Sequence, residues 1–448
     1  MNTDINYDAS YMEKSYQQFE THPYPNIPIE DSPKNNIKLL YENSLTTAFY
    51  HRDRKVIRDL HNRTILDVAC GTGFTTLVLA LANPGAKIIG IDISPSSIKI
   101  AEQRLEYHGC ENVSFSVVAL EELSSLGQDF DYINASDILY LLPDLTFALT
   151  QLKLVLKENG IIQANLHSQH QRVDYYRAQE LFKEMGLMED NPGDIELSIV
   201  REFYEALKDN VDLKFRTWKF SSQEISDQRI LMNHLFQNDK GYTLKQLFTA
   251  IREADLEFIN MVDWRDWNWQ SLFKDPDDLP IYISMGLENA DLETQLRFYE
   301  LVQPDKRLLN FWCGHQKLLH EISEDSAMVA WRDSDPEKVI IHLHPCLVSD
   351  EFCLAVRDLQ DVSPFNLGMF FNFLIKDGWL DRSLTRILFL PLLEAPRSLA
   401  FLAERWLQIR PLNPVTLEPT AREQAVALLR AAVLDQEKLG IFLLEAED

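Results

Sequence analysis

Between residues 63 and 168 short apolar runs alternate with amphipathic stretches, and this alternation restricts the fold more than any other feature of the sequence. Repeated strand–helix–strand units pack as a parallel sheet covered by helices. Strands are expected at 63–70, 86–94, 113–120, 130–137 and 160–168, with helices at 74–83, 95–109 and 145–160. Gly160 stands where the last of these helices would be capped.

Beyond residue 168 the rhythm breaks. Longer helical stretches fill 169–240, after which a helix (242–256) and a strand (257–264) resume the pattern. A second helical stretch (277–332) precedes the apolar run 338–347, expected as the last strand. The fold class expected is therefore α/β: one Rossmann-like sheet with two helical insertions, followed by a mainly helical, winged-helix-like C-terminal domain. The boundaries expected are an arm with a helix (1–50), the sheet domain (51–347) and the C-terminal domain (348–448). The arm carries Pro23, Pro25, Pro28 and Pro33 and reads as irregular up to residue 37, with a helix over 37–51.

Charge narrows the partners. With 43 Lys+Arg against 69 Asp+Glu the net charge is −26, so polyanions such as nucleic acid and anionic membrane surfaces are disfavoured. The segment from 348 onward has 10 basic and 15 acidic residues, which argues against DNA reading by that domain. Five scattered cysteines without a C-x-x-C pair form neither a disulfide framework nor a zinc site, and no metal is expected. The polar, acidic start and the lack of a long apolar run make a cytoplasmic protein the expectation.

The chemistry sits at Asp67-Val-Ala69-Cys70-Gly71-Thr72-Gly73, at a strand end and opening a helix. Two glycines there allow positive φ and a close approach to the backbone. The acid before them suits a cationic ligand group. Asp92 follows 25 residues after Asp67, at the end of the second strand, where a carboxylate can accept both hydrogen bonds of a ribose diol. A nicotinamide dehydrogenase would need a third glycine where Thr76 stands.

Residues 65–105, with the strand 130–137, resemble class I S-adenosylmethionine-dependent methyltransferases. The resemblance implies that Asp67, Ala69, Cys70, Gly71 and Gly73 meet the methionine end of S-adenosylmethionine, and that Asp92 and Ile93 meet its ribose. It also implies adenine contacts from Leu120 and Glu121, since Ala119 stands where many relatives have Asp, and a contact from Ser136. The full length resembles extended bacterial methyltransferases with an added C-terminal, regulatory-like domain. Some of that group modify protein or peptide side chains, including asparagine amides. Asn233-His234-Leu235, Asp239-Lys-Gly-Tyr-Thr243 and Phe311-Trp-Cys-Gly-His315 look like blocks of such a family.

A peptide or protein side chain is thus the expected methyl acceptor; a small natural product, or a non-catalytic binding role, are the alternatives. Sites in parallel sheets lie off the carboxyl ends of the strands. This selects Ser136, Asp137 and Tyr140 after the fourth strand and His167 after the fifth, with His167 and Tyr140 as candidate catalytic residues. Tyr24, Asp137, Tyr175, Tyr176, Arg177 and Trp264 are candidate acceptor contacts: Tyr24 from a stiff aromatic arm, the Tyr175–Arg177 group from a helical lid, Trp264 from a tryptophan-rich wall.

Overall fold

The computed structural model describes residues 9–57, 59–218, 225–316, 334–358, 362–412 and 417–446, which form two compact units. The first comprises residues 1–32, 62–80 and 85–316; the second comprises 33–61, 81–84 and 317–448.

The first unit is built on a sheet whose five leading strands are β1 (Thr64–Val68), β2 (Lys87–Asp92), β3 (Val113–Val117), β4 (Phe130–Ala135) and β5 (Leu156–Ser168). They are followed by the two-residue β6 (Gly241–Tyr242), then β7 (Leu256–Met261) and β8 (Leu308–His315). The order across the sheet is β3-β2-β1-β4-β5-β8-β7, with β6 pairing alongside β5. The leading five strands are mutually parallel, and β8 runs antiparallel to both of its neighbours. Every residue of β4 is buried, as befits a central strand covered on both faces, whereas edge strand β3 leaves Ser114, Ser116 and Val117 exposed.

Three expectations are corrected. Gly160 does not cap a helix: the helix Leu145–Leu154 ends earlier, and Gly160 lies inside β5. A register shift between β4 and β5 takes up the extra residues, so the stretch 156–160, which reads as the end of a helix in sequence, becomes strand. The last strand of this sheet is β8, not 338–347; the second helical stretch stops at Val302, and residues 317–333 lie outside the described residues. The arm is not irregular up to residue 37. It opens with a helix, Ala9–Thr21, which docks through Gln18: the amide of Gln237 donates to its Oε1 (3.2 Å), and its Nε2 donates to the Leu235 carbonyl (3.4 Å).

The second unit gathers residues 33–61, expected with the arm, and the strand 338–347, expected in the main sheet. β9 (Val339–Leu343) is the middle strand of a separate antiparallel sheet, flanked by β12 (Arg397–Ser398) and β13 (Phe442–Ala446); β10 (Phe365–Asn366) and β11 (Trp379–Leu380) form a short pair elsewhere in the unit. Buried polar contacts explain the grouping. The Tyr50 hydroxyl donates to Glu437 (3.0 Å) and accepts from the Leu444 amide (2.9 Å), and Arg54 pairs with the same Glu437 at 2.6 Å. Thr47 bonds the ring of buried His344 at 2.9 Å. The expected helix over 37–51 is two helices, Ile37–Glu42 and Leu45–Asp53, divided at Ser44.

Candidate active site

The first strand hands the chain to the helix Phe74–Ala82 through a turn in which Ala69, Gly71 and Gly73 all have positive φ. Asp67 is the last residue but one of the strand. Its two oxygens accept from Asn134 (2.7 Å) and from Thr76 (2.6 Å), so the residue that replaces a dehydrogenase's third glycine holds the acid in place. Burial pushes the Asp67 carboxyl up to about 6, against the pull of those two hydrogen bonds.

Asp92 ends the next strand over. One oxygen accepts from the Ser94 amide (2.9 Å) and the other from the Gly71 amide (2.9 Å), tying the two strand ends together. Desolvation raises its pKa too, and two carboxylate oxygens retain lone pairs for a further donor pair. Above the turn lies the segment after the N-terminal helix: the Tyr24 carbonyl accepts from Thr72 N (3.0 Å) and the Pro25 carbonyl from the Thr72 hydroxyl (2.7 Å). Arg104 clamps both sides, donating to the carbonyls of Thr72 (2.9 Å), Ile27 (2.7 Å) and Pro28 (2.7 Å).

These elements enclose a cavity of about 270 Å³ at the carboxyl ends of β1, β2 and β4. That is where the strand order reverses and where such sheets bind ligands. Nine of the expected site residues line it: Tyr24, Ala69, Cys70, Gly71, Asp92, Ile93, Ser136, Asp137 and Tyr140. Asp137 adopts φ 59° and is held by its amide donating to Asn165 (2.9 Å), while its carboxylate accepts from the Tyr140 hydroxyl (3.3 Å).

Other expected residues lie elsewhere. Asp67 sits beneath the floor, and Gly73 packs on the helix Pro95–Tyr107, where a Cβ would come within 2.8 Å of Ala101. Leu120 is buried and Glu121 exposed at the start of a 3-10 turn, and neither reaches the cavity. His167 is fully buried behind Tyr140, the two rings stacking at 3.8 Å, so it does not line the cavity as a catalytic group would. Its Nδ1 bonds Asp239 (2.6 Å), which also accepts from Arg172 (2.8 Å) and Gln179 (2.9 Å). Desolvation pulls the His167 pKa down despite that carboxylate.

Tyr175 packs its ring against His234 and Arg172, and Tyr176 lines a second, open cavity. Arg177 is paired with Asp174 and Asp212 on the surface. Trp264 lies against Trp312 and Arg265, and Trp267 and Trp269 are buried, so the tryptophan cluster is packing rather than a wall of the site. Residues that the sequence reading missed include Phe19, Phe74, Ser97, Met232, Phe236 and Arg307. Phe19 and Phe236 meet edge to face at 6.2 Å, joining two segments more than two hundred residues apart, a contact that no local pattern announces.

Residues 60–234 match the protein family described as "Methyltransferase domain". The chain carries an S-adenosylmethionine-dependent methyltransferase domain. Over 349 residues it is 25% identical to an uncharacterised Synechococcus protein, covering 77% of this chain and 78% of that one. A ubiquinone biosynthesis O-methyltransferase of Rhizobium etli is 30% identical over 128 residues, 29% of this chain. The match spans only half the length of that relative. The structure of PKMT2 from Rickettsia typhi in complex with AdoHcy matches with a TM-score of 0.57 at 13% identity, covering 95% of this chain and 78% of that one. At that identity the likeness is one of fold. Among the described residues, no helix is long and apolar enough to cross a membrane.

Proposed function

We propose that the chain transfers the methyl group of S-adenosylmethionine to a side chain of a peptide or protein, an asparagine amide being one candidate. The observation that carries the acceptor class is a pair of cavities that share one wall residue. Phe236 lines both the enclosed pocket and an open cavity of about 640 Å³ bordered by Lys14, Tyr176, Gln179, Asp239 and Tyr242. A closed chamber and a wider, open cavity that share Phe236 as a wall leave room for an extended chain with one side chain inserted.

The residues fit the cofactor. The carboxylate of Asp92 stands ready for a ribose diol, the Ala69–Gly71 turn lines the pocket, and Asp67 places negative charge under a cationic methionine end. S-adenosylmethionine supplies an electrophilic methyl group whose bond to sulfur breaks as the acceptor's lone pair forms the new one. The protein's share is alignment and exclusion of water. Asp137, facing the pocket and braced by Tyr140 and Asn165, is placed to take the proton that the acceptor gives up. Tyr140 lines the acceptor side, and His167 acts through it as a positioning residue, its ring fixed by the buried Asp239–Arg172 pair.

Labelled S-adenosylmethionine added to an extract of the source cell, with the purified protein, tests the acceptor class. Label is expected in macromolecules or peptides; label confined to small molecules would contradict it.

The buried acid also sets a pH dependence. Asp67 is protonated in the free protein below about 6, and a cationic ligand end binds its charged form better. Cofactor affinity is therefore expected to be full above that pH and to fall as pH drops through it, at up to about tenfold per unit. Calorimetry from pH 7.5 to 5 measures it, and Asp67→Asn is expected to flatten the profile. A wild-type profile that stays flat would mean that Asp67 does not sense the ligand.

A further inference from the structure

Arg307 closes the connection between β7 and β8 and lines the pocket. Its backbone is anchored, the carbonyl accepting from the Ser168 amide at the end of β5 (2.9 Å). Its guanidinium makes no hydrogen bond or ion pair with any described residue. Nearer the floor of the pocket and behind it, Arg104 and Arg172 are instead bonded to carbonyls or carboxylates at 2.7–2.9 Å. In a chain of net charge −26, an arginine facing a cavity without a partner is a cation held in reserve for a ligand. The planar fork of donors matches a carboxylate geometrically, binding it through two parallel hydrogen bonds.

The strand order says which ligand. Asp92 ends β2 and the glycine turn follows β1, whereas Arg307 immediately precedes β8, four strands from β2. Four interstrand steps separate their backbones by roughly 19 Å. The ribose and methionine ends are served from β2 and β1, so the arginine addresses what lies beyond Asp137, on the acceptor side. Tyr24, Tyr140, Met232 and Phe236 line the same pocket. Its positive charge reaches the phenols of Tyr24 and Tyr140, opposing the rise that burial imposes on them.

We propose that Arg307 binds a carboxylate of the methyl acceptor, so that the enzyme selects acceptors carrying an acidic group close to the atom methylated. This rests on the pocket being the methyl-transfer site. The acid is a neighbouring side chain or a free chain terminus, and the two chemistries are the same at the guanidinium.

The test uses the full chain saturated with S-adenosylhomocysteine, whose binding is measured first. Three small probes are then titrated by calorimetry and saturation-transfer NMR: N-acetylglutamic acid α-amide, N-acetylglycine and the neutral N-acetylglutamine α-amide. At least one acidic probe is expected to bind about tenfold or more tightly than the neutral one. Preference for the glutamic probe points to a side-chain acid, and preference for N-acetylglycine to a terminus. Arg307→Ala is expected to erase the preference and Arg307→Lys to keep part of it, both leaving S-adenosylhomocysteine affinity within about twofold. The side chain is exposed and unbonded, so neither variant should impair folding, and matched thermal melts check this. Equal binding of acidic and neutral probes, absence of probe binding, or a preference surviving in Arg307→Ala overturns the proposal. So does a large loss of S-adenosylhomocysteine affinity in Arg307→Ala, which would hand the guanidinium to the cofactor's own carboxylate. Failure of the wild type to bind S-adenosylhomocysteine is a separate result and brings down the transfer site itself.

Discussion

Replacing Gly71 by alanine is expected to cost about a hundredfold or more in cofactor affinity, with a lowered melting temperature. The residue has φ +52°, where a side chain costs roughly 1–2 kcal/mol. The larger cost is steric: a Cβ would stand 2.2 Å from the Tyr24 carbonyl oxygen. That oxygen cannot move freely, because it accepts from Thr72, and the Ile27 and Pro28 carbonyls that follow it are gripped by Arg104. Either the segment or the turn must shift. The turn carries the amide that Asp92 holds, and displacement of a site by about 1 Å commonly costs two orders of magnitude. Calorimetry with S-adenosylhomocysteine and a thermal melt check both parts. Wild-type affinity would mean that the segment yields without disturbing the turn.

Asp92→Ala is expected to weaken cofactor binding by a comparable factor. The substitution removes the acceptor for a ribose diol and also unties the Gly71 and Ser94 amides from each other. Each charged hydrogen bond is worth about 1.5–3 kcal/mol, so losing the two ribose contacts alone costs roughly a hundredfold or more. Removing a carboxylate that burial already disfavours returns part of the folding stability, so the melt should change less than the affinity. Asp92→Asn, which keeps an acceptor, is expected to fall between. Unchanged affinity in Asp92→Ala would place the ribose at another strand end.

What was legible in the sequence was local. The five leading strands lie within the expected segments or a few residues from them, because apolar runs in a parallel sheet are buried on both faces and leave a continuous trace. The acid–glycine turn and Asp92 declared themselves through backbone requirements, and Ala69, Cys70, Gly71 and Ile93 followed, whereas Phe74 and Ser97 beside them did not. Gly160 misled because a glycine after an amphipathic stretch reads as a cap, and a register shift in β5 has no comparable mark. The strand at 338–347 is as apolar as a main-sheet strand, and only pairing decides that it joins β12 and β13. His167 looked catalytic from its place at a strand end. The ring of Tyr140, and the buried Asp239 and Arg172 that claim it, come from other elements. Phe19, Phe236 and Arg307 were invisible for the same reason: chain folding alone brings them to one cavity.

The most direct test of the whole account is calorimetry of the full chain with S-adenosylmethionine, S-adenosylhomocysteine and NADH under identical conditions. Saturable binding of the first two, at one site per chain and without binding of NADH, is predicted. Binding of NADH, with neither sulfur compound bound, would contradict the account at its root.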